Sequence, residues 1–214
     1  TEALASTSAA VSDWARSPVL ERAEILERAA NLFESKREEL IALCVLEAGK
    51  TFRDGSSEVR EAIDFLRYYA AEGRRLFGNE LSMPGPTGES NHLRWRARGV
   101  FVCISPWNFP IAIFVGQIAA ALITGNSVIA KPAEQTSISA WRVCELLYEA
   151  GVPNGVLAFL PGDGEMLGQI LLCDTRVAGV AMTGSIETAR AINRSLASRE
   201  GALATLIAET GGVN

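Results

Sequence analysis

From Pro18 to Phe77, apolar residues recur every three or four positions between charged ones. Leu20, Ile25, Leu26, Ala29, Leu32 and Phe33 form a first stripe, with Pro18 placed to start it. Leu40, Ile41, Cys44 and Val45 continue the pattern until Gly49, and Ile63, Leu66 and Tyr69 share one side of a stretch from Val59 to Leu76. The spacing predicts three helices packed together. Residues 82–91, Ser-Met-Pro-Gly-Pro-Thr-Gly-Glu-Ser-Asn, are rich in turn formers and predict a loop or linker. Leu93-Arg94-Trp95-Arg96-Ala97-Arg98 then alternates with period two, as a strand with one apolar and one basic face does.

Between Gly99 and Ala130 no residue carries a charge. A membrane span needs about 20 apolar residues, but Pro106 and Pro110 interrupt this run, and Trp107, Asn108, Gln117 and Asn126 place polar groups inside it. Only Ile111 to Ile123 is left as a continuous helix, so the run reads as strand, loop, buried helix, strand. Short apolar runs sit at Val100–Ile104, Ser127–Ala130, Val156–Leu160, Ala178–Met182 and Leu206–Ala208. Helical segments at Ile138–Ala150, Glu165–Leu172 and Glu187–Ser198 separate the later ones. Strands alternating with helices predict βαβ units and a parallel sheet covered on both faces. Such sheets bind ligands at the carboxyl ends of their strands.

Composition narrows the chemistry. The 214 residues are 48% apolar and 21% charged, enough to bury a core. The net charge of −5 argues against nucleic acid as a partner, even though three arginines flank Trp95. A single histidine, His92, excludes a zinc or haem site built on two. Cys44, Cys103, Cys144 and Cys173 are widely spaced, with no CxxC pair, and read as reduced, packed thiols, Cys103 on a strand and the others on helices. No secretory signal opens the chain at Thr1-Glu2-Ala3, and a cytoplasmic location is expected. The chain stops at Gly211-Gly212-Val213-Asn214, directly after a strand-like run, so it reads as a piece of a larger protein.

The candidate chemistry sits at the strand exits. Ser105-Pro106-Trp107-Asn108-Phe109-Pro110 presents an amide that can donate to a developing oxyanion or satisfy loop backbone, and spacing alone favours the latter. Lys131-Pro132-Ala133-Glu134 sets a cation and a carboxylate at a sheet edge, where they suit ribose hydroxyls or form a surface ion pair. An acid beside the adenosine ribose disfavours a 2′-phosphate, pointing to NAD rather than NADP. Pro161-Gly162-Asp163-Gly164 and Thr183-Gly184-Ser185 both open helices, and either can bind an anion such as a pyrophosphate or simply cap the helix. No GxGxxG stands in the chain. Glu209-Thr210-Gly211-Gly212 delivers a carboxylate from an apolar run into a turn, a candidate general base whose pKa burial would tune.

Taken together in this order, Cys103-Ile104-Ser105-Pro106-Trp107-Asn108-Phe109-Pro110, Ala130-Lys131-Pro132-Ala133-Glu134-Gln135-Thr136, Thr183-Gly184-Ser185 and Leu206-Ile207-Ala208-Glu209-Thr210-Gly211-Gly212 resemble the aldehyde dehydrogenase superfamily. Within it they are most similar to the glutamate-semialdehyde dehydrogenase module of bacterial proline utilization A. The resemblance extends from about Ala23 onward. It implies an α/β fold: N-terminal helices followed by a Rossmann-like, parallel-sheet NAD-binding domain, cut off before the catalytic domain. The expected division is a helical segment over 1–81, a linker and oligomerisation-hairpin strand over 82–98, and an incomplete NAD-binding domain over 99–214.

The resemblance also implies roles. Asn108 would donate to the oxyanion, Phe109 would line the aldehyde pocket, and Glu209 would activate the hydrolytic water. Lys131 and Glu134 would hold the adenosine ribose, Ser185 the pyrophosphate, and the Thr210 carbonyl the nicotinamide amide. Ile104, Ser105, Pro106, Trp107, Ala133, Gly162, Gly164, Thr183 and Gly184 would complete the cofactor site, with no metal. The chain departs from the family at Ile186, commonly Thr, and Ala189, frequently Gly. The family's nucleophilic cysteine would lie past Asn214, and none of the four cysteines has a matching context, so the 214 residues alone are expected to be inactive. The implied substrate is L-glutamate γ-semialdehyde, oxidised to glutamate with NAD. FAD would enter only through a fused proline dehydrogenase domain, and a homo-oligomer is expected. A non-catalytic scaffold, or a dehydrogenase for another small aldehyde, are the alternatives.

Overall fold

In the computed structural model, residues 2–211 are described. The chain opens with four helices, α1 (Glu2–Arg16), α2 (Val19–Ser35), α3 (Arg37–Ala48) and α4 (Phe52–Phe77). The last three are those predicted between Pro18 and Phe77. α1 was not predicted: it is rich in Ala and Ser, and only Leu4, Thr7 and Trp14 of it are buried, too thin a stripe to stand out as periodicity. A short antiparallel hairpin comes next, β1 (Leu81–Met83) with β2 (Asn91–Leu93). The predicted strand over Leu93–Arg98 therefore reduces to its first residue. β1 supplies partners only up to Leu93, so residues 94–98 have no ladder to join, and Trp95 stays half exposed. The expected loop over 82–91 is likewise shortened at both ends by the hairpin.

The remainder is a βα alternation: β3 (Val100–Ile104), α5 (Ala112–Ile123), β4 (Ser127–Lys131), α6 (Ser137–Ala150), β5 (Leu157–Phe159), α7 (Gly164–Leu171), β6 (Val177–Gly184), α8 (Ile186–Ala197) and β7 (Thr205–Thr210). All five strands are parallel, in the order β5-β4-β3-β6-β7. The connections after β3 run outward on one side, and the chain then returns to place β6 on β3's other side. The switch point therefore lies between β3 and β6.

Strand side chains divide by period two between two cores. Phe101, Cys103, Val128 and Ala130 face a core built with α2, α3, α4, α5 and α6. Val100, Val102, Ile129 and Val180 face a second core containing Leu4 of α1 and residues of α7 and α8. The uncharged run from Gly99 to Ala130 is thus the centre of a three-layer sandwich. No helix among the described residues is long and apolar enough to cross a membrane. β7 is different: it is a sheet edge, and its residues from Ile207 to Thr210 are exposed rather than buried.

Long-range polar contacts close the helix ends. Trp14 donates from Nε1 to the Leu122 carbonyl at 3.0 Å, and buried Arg22 donates from Nε to the Ile123 carbonyl at 3.0 Å, so the last turn of α5 has side-chain partners. Burial lowers the Arg22 pKa. The β3–β6 pairing brings Phe101 opposite Gly179, where the aromatic ring occupies the space of a side chain. A Cβ on Gly179 would lie 2.4–2.9 Å from three ring atoms.

Gly179→Ala should therefore destabilise the protein by about 1–3 kcal/mol, the usual cost of overpacking. Gly168→Ala is the control: on helix α7 its new methyl would have Leu172 Cδ1 at 3.8 Å as the nearest neighbour, and helix propensity predicts neutrality or a gain of up to ~1 kcal/mol. Urea unfolding of both variants checks this, and equal midpoints would refute the contact.

Candidate functional site

The carboxyl ends of β3, β4 and β6 open onto one groove of about 650 Å³, at the switch point and between the amino ends of α7 and α8. Ile104, Ser105, Pro106 and Trp107 enter it from β3, and Lys131, Ala133 and Glu134 from β4. Thr183, Gly184 and Ser185 enter from β6, and Gly164 from the start of α7. Eleven predicted cofactor residues thus share one surface, though they are spread over more than eighty positions of sequence.

Local chemistry holds each wall. The Ser105 N–H donates to the Lys131 carbonyl at 3.3 Å and ties the exits of β3 and β4 together. The Lys131 side chain is buried and donates from Nζ to Glu134 Oε1 at 2.7 Å, while the Glu134 side chain remains half exposed. That hydrogen bond, opposed by partial desolvation, holds the Glu134 carboxyl below its ordinary value of 4.5. A Cβ on Gly164 would stand 3.4 Å from Lys131 Nζ and 3.6 Å from Glu134 Oε1, so the first turn of α7 passes beside the pair. Asp163 caps α7 by accepting from the Met166 N–H at 2.7 Å. Ser185 caps α8 by accepting from the Thr188 N–H at 3.1 Å.

Other residues of the groove were not singled out in the sequence. Leu167 and Leu171 of α7 face Ile192 of α8 across an apolar slot that Val102 helps to floor. Their helical spacing was legible, but it reads as ordinary core until the strand order brings the two helices side by side.

The remaining candidates sit elsewhere. Asn108 and Phe109 occupy the exposed turn between β3 and α5 and do not line the groove. Gly162 lies just before α7 with φ of 140°, a backbone conformation that favours glycine. Thr210 ends β7 opposite Gly184. Glu209 pairs in register with Thr183 and lines a second cavity, of about 350 Å³, on the α5 side of the sheet. It is exposed rather than buried, because β7 is the edge strand. The Gly212 of its predicted turn lies outside the described residues. Gln117 of α5 links the two regions, donating from Nε2 to the Ile104 carbonyl at 3.2 Å and to Thr183 Oγ1 at 3.1 Å.

The cysteines are all free. Burial pushes the Cys44 and Cys103 thiols up to about 12 and raises that of Cys144 as well. A thiol so raised is no nucleophile near neutrality. Cys173 corrects the expectation of a packed helical thiol: it lies in the turn after α7 and is exposed.

Fold and groove define an α/β protein of the doubly wound kind, with a groove at the topological switch point. The aldehyde dehydrogenase family model matches residues 1–214, and the chain belongs to that family. It is 53% identical over 204 residues to the bifunctional protein PutA of Salmonella typhimurium, covering 94% of this chain and 14% of that protein. It is 39% identical over 214 residues to the 1-pyrroline-5-carboxylate dehydrogenase of Anoxybacillus flavithermus, covering 99% of this chain and 41% of the relative. Among solved structures, proline utilization A with proline bound in remote sites superposes with a TM-score of 0.96 at 56% identity, over all of this chain and 22% of that one. The 1-pyrroline-5-carboxylate dehydrogenase from Thermus with bound NAD gives 0.92 at 38% identity, over 98% of this chain and 41% of that one. The chain therefore spans well under half the length of these relatives.

Two outcomes are expected from this geometry. A thiol reagent should modify Cys173 rapidly in the native protein and reach Cys44, Cys103 and Cys144 only on unfolding; rapid modification of more than one would contradict the burial. The Glu134 carboxyl should titrate below 4.5. The stability it contributes is full above that ordinary value and is lost as pH falls through the depressed one. Carboxyl-selective NMR should show its pKa rising in Lys131→Met, and no change would mean that the pair does not form in solution.

Proposed function

We propose that the protein containing this chain is an NAD-dependent aldehyde dehydrogenase that oxidises L-glutamate γ-semialdehyde to L-glutamate in proline catabolism. The observation that carries the reading is the groove itself. It joins a lysine–carboxylate pair, two capped helix amino ends and an apolar slot in one site, with a volume typical of small-molecule pockets. NAD bound there supplies the hydride acceptor. The likeness to a Thermus relative described with bound NAD, and to relatives named 1-pyrroline-5-carboxylate dehydrogenase and PutA, supports the same reading.

The donor set fits a dinucleotide. Lys131 would donate to, and Glu134 would accept from, the hydroxyls of the adenosine ribose, and the Glu134 charge would repel a 2′-phosphate. The slot between Leu167, Leu171 and Ile192 would take the adenine. Ser185 Oγ accepts from the Thr188 N–H and lies 3.1 Å from Thr188 Oγ1, and this pair of hydroxyls at the positive end of α8 would face a pyrophosphate oxygen. Gly184 gives close approach, and Gly162 and Gly164 shape the turn into α7. Ile104, Ser105, Pro106, Trp107, Ala133 and Thr183 line the rest, and the Thr210 carbonyl would meet the nicotinamide amide.

In the chemistry, the Asn108 amide donates to the oxyanion that develops when a thiolate, supplied by the protein outside these residues, adds to the aldehyde. Phe109 borders the aldehyde pocket. Glu209 takes a proton from the water that releases the carboxylic acid. We assign residues 1–81 to a helical segment, 82–98 to a linker and oligomerisation hairpin, and 99–214 to the NAD-binding domain. We further assign the protein to the cytoplasm, as a homo-oligomer fused to a flavin-dependent proline dehydrogenase domain.

The test is NADH formation by the full-length protein with glutamate semialdehyde. Asn108→Ala should lower kcat by about 10²–10³-fold, as loss of an oxyanion donor does elsewhere. Glu209→Ala should lower it by about 10²–10⁴-fold. Glu134→Ala should weaken NAD binding and narrow the preference over NADP. NAD binding without turnover on any aldehyde would establish a scaffold instead, and turnover confined to another aldehyde would reassign the substrate.

A further inference from the structure

Eight residues apart at the start of α4, Lys50 and Glu58 form an ion pair, Nζ to Oε2 at 2.6 Å, with the Glu58 side chain fully buried and that of Lys50 nearly so. Neither residue has a part in the proposed chemistry. Local structure aims them at each other. Gly49 ends α3 in the left-handed conformation, with φ of 67°, the Lys50 N–H donates back to the Cys44 carbonyl at 3.3 Å, and Thr51 caps α4 by accepting from the Asp54 N–H. Lys50 is thereby held beside the first turns of α4, on the face that carries Glu58.

The partners of the pair lie on another element. Glu58 Oε1 accepts from the Ile111 N–H at 2.9 Å and the Ala112 N–H at 3.3 Å, the first free amides of α5. Lys50 Nζ stands 4.1 Å from the centroid of the Phe109 ring. One buried carboxylate is thus balanced by a lysine and by the positive end of a helix, and the lysine in turn covers an aromatic ring. Between these contacts lies the turn Asn108-Phe109-Pro110, whose far end is tied at Ser105 to the Lys131 carbonyl. That turn has an anchor at each end and a cation over its middle.

We infer that Lys50 and Glu58 are positioning residues: they fix residues 105–111 so that Asn108 and Phe109 are presented in one geometry to the aldehyde. The inference rests on the roles proposed for Asn108 and Phe109, and it deepens them. Removing the lysine leaves the acid buried with only the helix amides, and frees the Phe109 ring. A displacement of the Asn108 amide by about 1 Å is enough to cost on the order of 10²-fold in rate.

The experiment uses the full-length protein carrying Lys50→Met, Lys50→Arg or Glu58→Gln. Hydrogen–deuterium exchange of the peptide spanning 105–112 should speed up in Lys50→Met and Glu58→Gln and return towards wild type in Lys50→Arg. In steady-state assays with glutamate semialdehyde, Lys50→Met should lower kcat at least tenfold while the KM for NAD stays within twofold of wild type, because the part of the segment that lines the groove begins at Ser105, which the Lys131 carbonyl holds independently of Lys50. Lys50→Arg should recover most of kcat. Unchanged exchange would overturn the inference, as would faster exchange with unchanged kcat. Unchanged exchange with a raised aldehyde KM would make Lys50 a direct substrate contact instead. A wild-type protein that oxidises no aldehyde would sink the proposed function, and the exchange measurement would still decide whether the pair holds the loop.

Discussion

Both faces of β3 are buried. Val100 and Val102 point into the core with α1, α7 and α8, and Phe101 and Cys103 point into the core with the helices of the opposite layer. A strand without a solvent face has to sit at the centre of a sheet, and its parallel neighbours have to be reached by crossovers that lay helices over it. The order β5-β4-β3-β6-β7 meets that requirement, with β4 on one side and β6 on the other. Once it is met, the exits of β3, β4 and β6 converge. Lys131, Ser105 and Ser185 become neighbours for the same reason that Val102 is dry.

The groove and the α5 turn solve opposite electrostatic problems. In the groove, the buried Lys131 ammonium is paired with a carboxylate that remains half exposed, so Glu134 stays accessible to a ligand while holding the lysine in place. At the α5 turn, the carboxylate is the buried member, and Glu58 commits both oxygens to Lys50 and to backbone amides. The first arrangement suits recognition, because an acceptor is left over. The second suits fixing a backbone, because none is.

Much of this was legible in the chain. The uncharged run with its two prolines predicted strand, loop, buried helix and strand, and the structure has β3, the turn, α5 and β4 there. Helix starts at Asp163 and Ser185 were legible because capping is local: the side chain that stops one element starts the next within four residues. Three readings went astray for non-local reasons. α1 buries too few residues to show a period, Leu93–Arg98 alternates like a strand but lacks a partner beyond Leu93, and Cys173 follows a helix that ends two residues before it. Pattern registers what a residue prefers, and each of these outcomes was decided by what was available to pair with or pack against.

The sequence by itself determined the alternation of elements, the alternate sides of each strand and the polar residues at each strand exit, because periodicity and capping act over a few residues. Only the tertiary structure decided which exits meet. Strand order brought Leu167 and Leu171 across from Ile192 and made core-like leucines into the wall of a groove. Helix packing brought Glu58 under α5, fifty-three residues away in sequence, and placed Lys50 over Phe109. Among the described residues β7 is an edge strand and Glu209 is exposed, where its apolar neighbours in sequence had suggested burial. Contacts of that range depend on closing long loops and filling shared volume, and no window of residues read in isolation contains the partner.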